Sequence, residues 1–303
     1  MVLKVATAQF AVSSDIAGNL AAVERLMRQA RAANADVVHF CEAALSGYAG
    51  VDFARFAGFD WPRLETATRR VMALAGELGL WVVVGSAHRL SNGHKPHNSV
   101  HVIDASGALV DRYDKRFCAG DAEGLTGDLA HYTPGDHFAV FEIAGVRCGV
   151  LVCHDYRYPE LYRAYHRLGA RMMFHGFHAG GLSAERFAAM EAGVGVHHLT
   201  GGTTLPAITM PAGMIAAASN NNLWISCPNS SAPRSCWPSF FVRPDGVITG
   251  ALEAEIEGLL LSEVDLTADI YDSTVAWRDR AIDGVLHSGD LVEDPRSKDR
   301  TGL

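Results

Sequence analysis

Three residues in this chain carry the groups that acyl transfer needs: the thiol of Cys153, the carboxyl of Glu42 and the ammonium of Lys115. Each stands where an apolar run gives way to a polar one, in "GVLVCHDYRYPELYR", "DVVHFCEAALSGY" and "ALVDRYDKR". A thiol attacks an acyl carbon as thiolate, so it needs a base or a cation nearby, and the positive end of a helix adds to the effect. Here the helix beginning near Tyr158 and the charge on Lys115 would serve. Glu42 would take the thiol proton, pass it to a leaving amine and then activate the water that opens the thioester. Lys115 and the backbone N–H of His154 would receive the oxyanion. Taken singly, the same residues have plain structural readings: Cys153 as a core thiol, since cysteine is among the most buried residues, and Glu42 and Lys115 as solvated strand ends. Residue types alone leave both readings open.

The elements that must position these side chains follow from hydrophobic periodicity. Residues 3–10 read as a strand, and 15–35 as a helix with Leu20, Val23, Leu26, Met27 and Ala30 at helical spacing. Residues 36–48 read as a short buried strand ending in a Gly-containing turn that holds Glu42. A helix over 61–79 and a strand over 80–89 follow, then two strands within 97–116 around a Ser-Gly turn, with Lys115 at the end of the second. Residues 137–155 give two more strands separated by Ala144-Gly145, and 158–170 a helix with Pro159 in its tolerant first turn. Segments at 171–177, 223–230, 239–250 and 257–266, with a helical stretch around 183–199, complete an α/β alternation that implies a layered fold. Cys153 thus falls at a strand-to-helix junction, the rim where α/β proteins hold ligands. The polar segment 278–303 reads as a C-terminal arm or tail, which leaves 1–277 as one domain.

Composition narrows the class. With 49% hydrophobic and 20% charged residues among 303, the chain reads as a soluble globular protein. A formal net charge of −8 argues against a nucleic-acid partner, which would demand a Lys/Arg surplus. The cysteines Cys41, Cys118, Cys148, Cys153, Cys227 and Cys236 form no C-x-x-C pair, so reduced thiols in a cytoplasmic protein are expected. No signal peptide is expected from "MVLKVATAQF", and no membrane span from the longest apolar stretch, 205–218, which is short and contains two prolines. His94, His97 and His101 suggest a metal site, but H-E-x-x-H is absent, so no metal and no other cofactor is expected. The absence of G-x-S-x-G speaks against a serine hydrolase.

"HFCEAALSGY", "RYDKRF" and "VLVCHDYRYPELYR", in this order, resemble the nitrilase or carbon–nitrogen hydrolase superfamily. "VATAQF", "GNL", "VVVGSAHR", "HNSVHVID", "TPGD" and "SFFVRPDG" extend the match over residues 1 to about 270. The resemblance implies a four-layer α-β-β-α sandwich that assembles as a homodimer or higher homo-oligomer. It places the catalytic glutamate, lysine and cysteine at Glu42, Lys115 and Cys153, with a small-molecule amide as substrate. Many members carry a second glutamate where this chain has Asp128, whose shorter side chain leaves Glu123 as a possible substitute. Cys41 stands where proline is common. His154-Asp155 replaces the Trp-Glu of nitrile-hydrolysing members, which favours an amide over a nitrile. N-carbamoyl-D-amino-acid hydrolases have an arginine where Tyr156 stands here. Arg157 either binds a carboxylate or pairs with Asp155 and Glu160. Phe177 and His178, in the loop 174–181, are expected to touch substrate together with Tyr48.

Overall fold

The computed structural model describes residues 2–194, 201–299 and 301. Its first half runs β1 (Val2–Gln9), α1 (Ile16–Ala32), β2 (Val37–His39), α2 (Trp61–Leu78), β3 (Trp81–His88), β4 (His97–Ile103) and β5 (Leu109–Asp114). The second half runs β6 (Val140–Ile143), β7 (Val146–Val152), α3 (Pro159–Arg167), β8 (Met172–Gly176), α4 (Ala184–Ala192), α5 (Leu205–Asn221) and β9 (Trp224–Cys227). It closes with β10 (Phe240–Val242), β11 (Ile248–Ala251), β12 (Gly258–Asp265) and the short helices α6 (Arg278–Ile282) and α7 (Pro295–Lys298).

Two six-stranded sheets result, ordered β12-β1-β2-β3-β4-β5 and β11-β10-β9-β8-β7-β6. Each is built on three parallel strands, β1-β2-β3 and β7-β8-β9, flanked by antiparallel ones. The two-residue period of a strand sorts the side chains. Leu3, Val5, Val37 and Val83 join Phe141, Val150 and Phe174 in the core between the sheets, whereas Ala6, Ala8, Val38, Val82 and Val84 pack under α1 and α2 through Val23, Leu26, Val71 and Leu74. On the other outer face Tyr162 and Tyr165 of α3 and Met210 and Met214 of α5 cover the second sheet. The order of layers is helix, sheet, sheet, helix, as the resemblance implies. Across the sandwich, Thr7 Oγ1 lies 2.7 Å and His39 Nδ1 2.9 Å from Ser226 Oγ, so the polar groups buried between the sheets bond to each other.

The sequence reading departs from the structure in two helices. Residues 205–218, read only as too short for a membrane span, belong to the seventeen-residue α5, capped by Thr204, with Pro206 in the first turn and Pro211 inside it. An interior proline loses one backbone bond and argues against helix in any sequence reading; burial of Met210, Met214 and Ala218 against the second sheet outweighs it. The helical stretch expected at 183–199 ends at Ala192, and its 195–199 portion lies outside the described residues. Among the described residues no helix is long and apolar enough to cross a membrane. The start of the C-terminal segment docks on α3: His166 Nε2 is 3.1 Å from Asp279, and Arg167 donates to the Ile282 carbonyl.

Candidate active site

Glu42 lies in the turn that follows β2. This turn is wedged between the strand ends of both sheets, which glycine permits at two points. A Cβ on Gly85 of β3 would stand 2.2 Å from the Cys41 carbonyl oxygen, and one on Gly176 of β8 would stand 3.1 Å from Glu42 N. The residue after the glutamate, Ala43, has φ +56°. Left-handed backbone at a residue other than glycine costs free energy and persists only where its surroundings hold it.

Lys115 directly follows β5, and its backbone N–H donates to the Asn98 carbonyl at 2.8 Å. Its Nζ is 2.8 Å from Glu42 Oε1 and 2.6 Å from Asp128 Oδ2, and all three side chains are buried. Asn98 Nδ2 donates to the same Glu42 oxygen at 2.7 Å. Asp128 also accepts from Ala119 N at 2.9 Å and from the Tyr48 hydroxyl. Burial alone would lower the Lys115 pKa, but the adjacent charges of Asp128 and then Glu42 outweigh it and hold the pKa well above its ordinary value. Burial likewise opposes ionisation of Asp128, yet Lys115 keeps its pKa below the usual carboxylate range. The lysine is therefore a fixed cation and not a base. Glu42 Oε2, buried and without a geometric hydrogen-bond partner among the described residues, is the oxygen left to act on the thiol, whose pKa the Glu42 carboxylate raises.

Cys153 directly follows β7 and has φ +41°. It opens a 3-10 turn, Cys153–Arg157, that leads into α3. The leading N–H groups of such a turn, that of His154 among them, find no carbonyl within it. The Cys153 carbonyl is 3.1 Å from His175 Nε2, whose Nδ1 is 2.8 Å from the Tyr162 hydroxyl. Burial pushes the His175 pKa down to about 3, so its imidazole is neutral. The Cys153 thiol is the group whose electrostatics differ from the sequence reading. Its pKa is raised, first by burial and then by the Glu42 charge, with Lys115 opposing them. Lys115 cannot make a standing thiolate because two carboxylates already neutralise it.

The other expected site residues separate into two groups. Tyr48 and His178 join the cluster: their rings stack at 5.2 Å, Lys115 Nζ lies 5.9 Å from the Tyr48 ring, and His178 Nε2 is 3.0 Å from Asp52 Oδ2. Asp52 raises the His178 pKa against the opposing effect of burial and accepts the Tyr48 N–H at 2.8 Å. Phe177 is instead buried in the aromatic core, stacked on His175 at 4.5 Å and edge-on to Trp237 at 5.7 Å. Glu123 is exposed, and Asp128 holds Lys115. Cys41 packs on the outer side with Ala44 and Leu45, under α1 and α2. Arg157 bonds to Thr209 at 3.2 Å and covers the Tyr156 ring, while Asp155 accepts from Tyr113, Phe117 and Val152; the expected pairing of arginine and aspartate is replaced by these contacts. His97 and His101 lie on β4, with His101 buried and its pKa lowered to about 4. Among the described residues no group of three His, Cys, Asp or Glu could hold a metal ion. Asn98 and Asp52 are the site residues that sequence reasoning missed. Asn98 sits in "HNSVHVID", which marked the resemblance but suggested no role.

The carbon–nitrogen hydrolase family profile matches residues 4–270. The chain belongs to the carbon–nitrogen hydrolase family. It is 32% identical over 181 residues to the N-carbamoylputrescine amidase of Arabidopsis thaliana, covering 56% of this chain and 57% of that one. It is 28% identical over 169 residues to the omega-amidase of Xenopus tropicalis, covering 54% and 59%. The chain thus aligns with little more than half the length of these carbon–nitrogen hydrolase relatives. Among solved structures it is similar to the nitrilase-superfamily amidase of Nesterenkonia sp. AN1. A cysteine-to-alanine variant of that amidase in complex with butyramide superposes with a TM-score of 0.68 at 21% identity, covering 86% of this chain and 90% of that one. A glutamate-to-glutamine variant of the same amidase, also at TM-score 0.68, shows covalent addition of the acetamide moiety of fluoroacetamide at the active-site cysteine. These superpositions establish the shared fold.

Proposed function

We propose that this carbon–nitrogen hydrolase cleaves the C–N bond of a small linear amide through Glu42, Lys115 and Cys153, with a cysteine thioester as the intermediate. The observation that carries the reading is the buried cluster of the Lys115 ammonium with the Glu42 and Asp128 carboxylates, at 2.8 Å and 2.6 Å, in which Glu42 and Lys115 follow strands of one sheet and Asp128 comes from a 3-10 turn, while the left-handed Cys153 follows a strand of the other sheet. Because the thiol is protonated at rest, attack couples to proton transfer: Glu42 Oε2 takes the Sγ proton as sulfur bonds to the carbonyl carbon. The oxyanion is received by Lys115 Nζ and the His154 N–H. Collapse of the tetrahedral species breaks the C–N bond, and Glu42 returns its proton to the departing nitrogen, which leaves as ammonia or an amine. Glu42 then draws a proton from water, hydroxide adds to the thioester, and the acid leaves as the thiol is restored. Asp128 keeps Lys115 charged and in place, and Tyr48 and His178 line the acyl side.

The N-carbamoylputrescine amidase relatives, at 32% identity, support a second substrate class for the same machinery, an N-carbamoyl amine whose ureido C–N bond replaces the amide. Assembly into a homo-oligomer is inferred from the family resemblance alone. An ammonia-release screen over short aliphatic amides, N-carbamoyl amines and nitriles, run with wild type and Cys153→Ala, tests the reading. Release from an amide or ureido compound by the wild type alone supports it. Equal release by both proteins overturns it.

A further inference from the structure

Cys153 and Lys115 end strands of different sheets, so no ladder of backbone bonds fixes one relative to the other. A single buried carboxylate does. Asp155 Oδ2 accepts from Val152 N at 3.0 Å and from the Tyr113 hydroxyl at 2.8 Å, and its Oδ1 accepts from Phe117 N at 2.8 Å. Val152 is the residue before the nucleophile. Tyr113 and Phe117 stand two residues before and two residues after the lysine.

We propose that Asp155 is a positioning residue for catalysis, whose carboxylate sets the spacing of the Cys153 turn from Lys115 by holding both segments at once. The assignment rests on the catalytic reading of Cys153 and Lys115 above. Two backbone N–H groups, one on each carboxylate oxygen, and the Tyr113 hydroxyl converge on Asp155, so a carboxylate accepts from all of them, whereas an amide would set its Nδ2 against an N–H. The arrangement runs against the preference of a buried acid, since burial raises the Asp155 pKa to about 6. Simple packing would be met by a residue without that cost. The contact also accounts for how the left-handed Cys153 backbone is held: Asp155 fastens the residue before it, and His175 its own carbonyl.

The test compares Asp155→Asn and Tyr113→Phe with wild type in the full chain, at a temperature where circular dichroism shows each folded. One readout is kcat and KM on the best amide of the screen. The other, which needs no turnover, is the rate of Cys153 alkylation by iodoacetamide, which reads the accessibility and thiolate character of the sulfur. Misplacement of the thiol predicts for Asp155→Asn a kcat lower by about 100-fold with KM nearly unchanged, and labelling slowed in parallel. Tyr113→Phe, which removes one of the three bonds, predicts a smaller fall of about 10-fold in both. If Asp155→Asn does not fold, Tyr113→Phe decides. Wild-type labelling in either folded variant overturns the proposal. A wild-type protein that is labelled at Cys153 but hydrolyses no amide would sink the substrate reading, and the labelling comparison would still judge Asp155.

Discussion

Lys115 Nζ stands 2.6 Å from Asp128 Oδ2, so the aspartate reaches the buried ammonium where the resemblance has a longer glutamate. The 3-10 turn Gly127–Ala130 carries it there, and the Ala119 N–H at 2.9 Å holds it. One cation is thus shared by two carboxylates, and the cluster bears a net negative charge that opposes thiolate formation.

Asp128→Asn removes one of these charges and loosens the lysine. Loss of a hydrogen bond to a charged group predicts kcat lower by about 10- to 100-fold. Because Asp128 raises the Cys153 pKa, the same change predicts that iodoacetamide alkylation of Cys153 sets in at lower pH than in wild type. An unchanged or higher alkylation midpoint would show that Asp128 does not act on the thiol.

Gly85→Ala places a methyl 2.2 Å from the Cys41 carbonyl oxygen, a backbone atom. Overpacking there predicts a loss of about 1–3 kcal/mol in urea unfolding. A shift of the Glu42 turn predicts loss of turnover even in the folded fraction. A fully active, equally stable variant would contradict the close approach.

Asp155 gives stability a pH dependence of definite sign. Its folded pKa, about 6, lies above that of an unfolded aspartate, so the stability it contributes is full below the unfolded pKa and is lost as pH rises through 6. The difference in unfolding free energy between wild type and Asp155→Asn should therefore shift against wild type by about 2 kcal/mol between pH 4 and pH 7.5. Denaturant titrations at the two pH values measure it, and a shift of opposite sign would refute the assignment.

His178→Asn removes the imidazole that faces Asp52 at 3.0 Å, although the Tyr48 N–H still donates to that carboxylate. Loss of one partner of a buried polar contact predicts a loss of about 1–3 kcal/mol. The double variant His178→Asn/Asp52→Asn should recover part of that loss. A double variant no more stable than His178→Asn alone would mean that the pair carries no coupling.

The sequence was informative where a residue sits at the end of a strand. Periodicity located β2, β5 and β7, and with them the residues Glu42, Lys115 and Cys153 that follow each strand. It said less where tertiary packing outvotes local preference: Pro211 argued against the helix that burial of Met210 and Met214 sustains. It was silent on pairings between segments distant in the chain. Asp155 was read beside Arg157 because the two are sequence neighbours, yet its partners Tyr113 and Phe117 lie about forty residues away. The charge balance of the thiol was also hidden, because it depends on Asp128 meeting Lys115 in space.

The covalent intermediate is the central claim, and rapid acid quench followed by intact mass spectrometry tests it most directly. Wild-type protein mixed with its best amide should gain the mass of the acyl group, the substrate less its leaving amine, on the peptide containing Cys153, and Cys153→Ala should show neither adduct nor turnover. Steady turnover with no adduct at any quench time, together with activity in Cys153→Ala, would contradict the account.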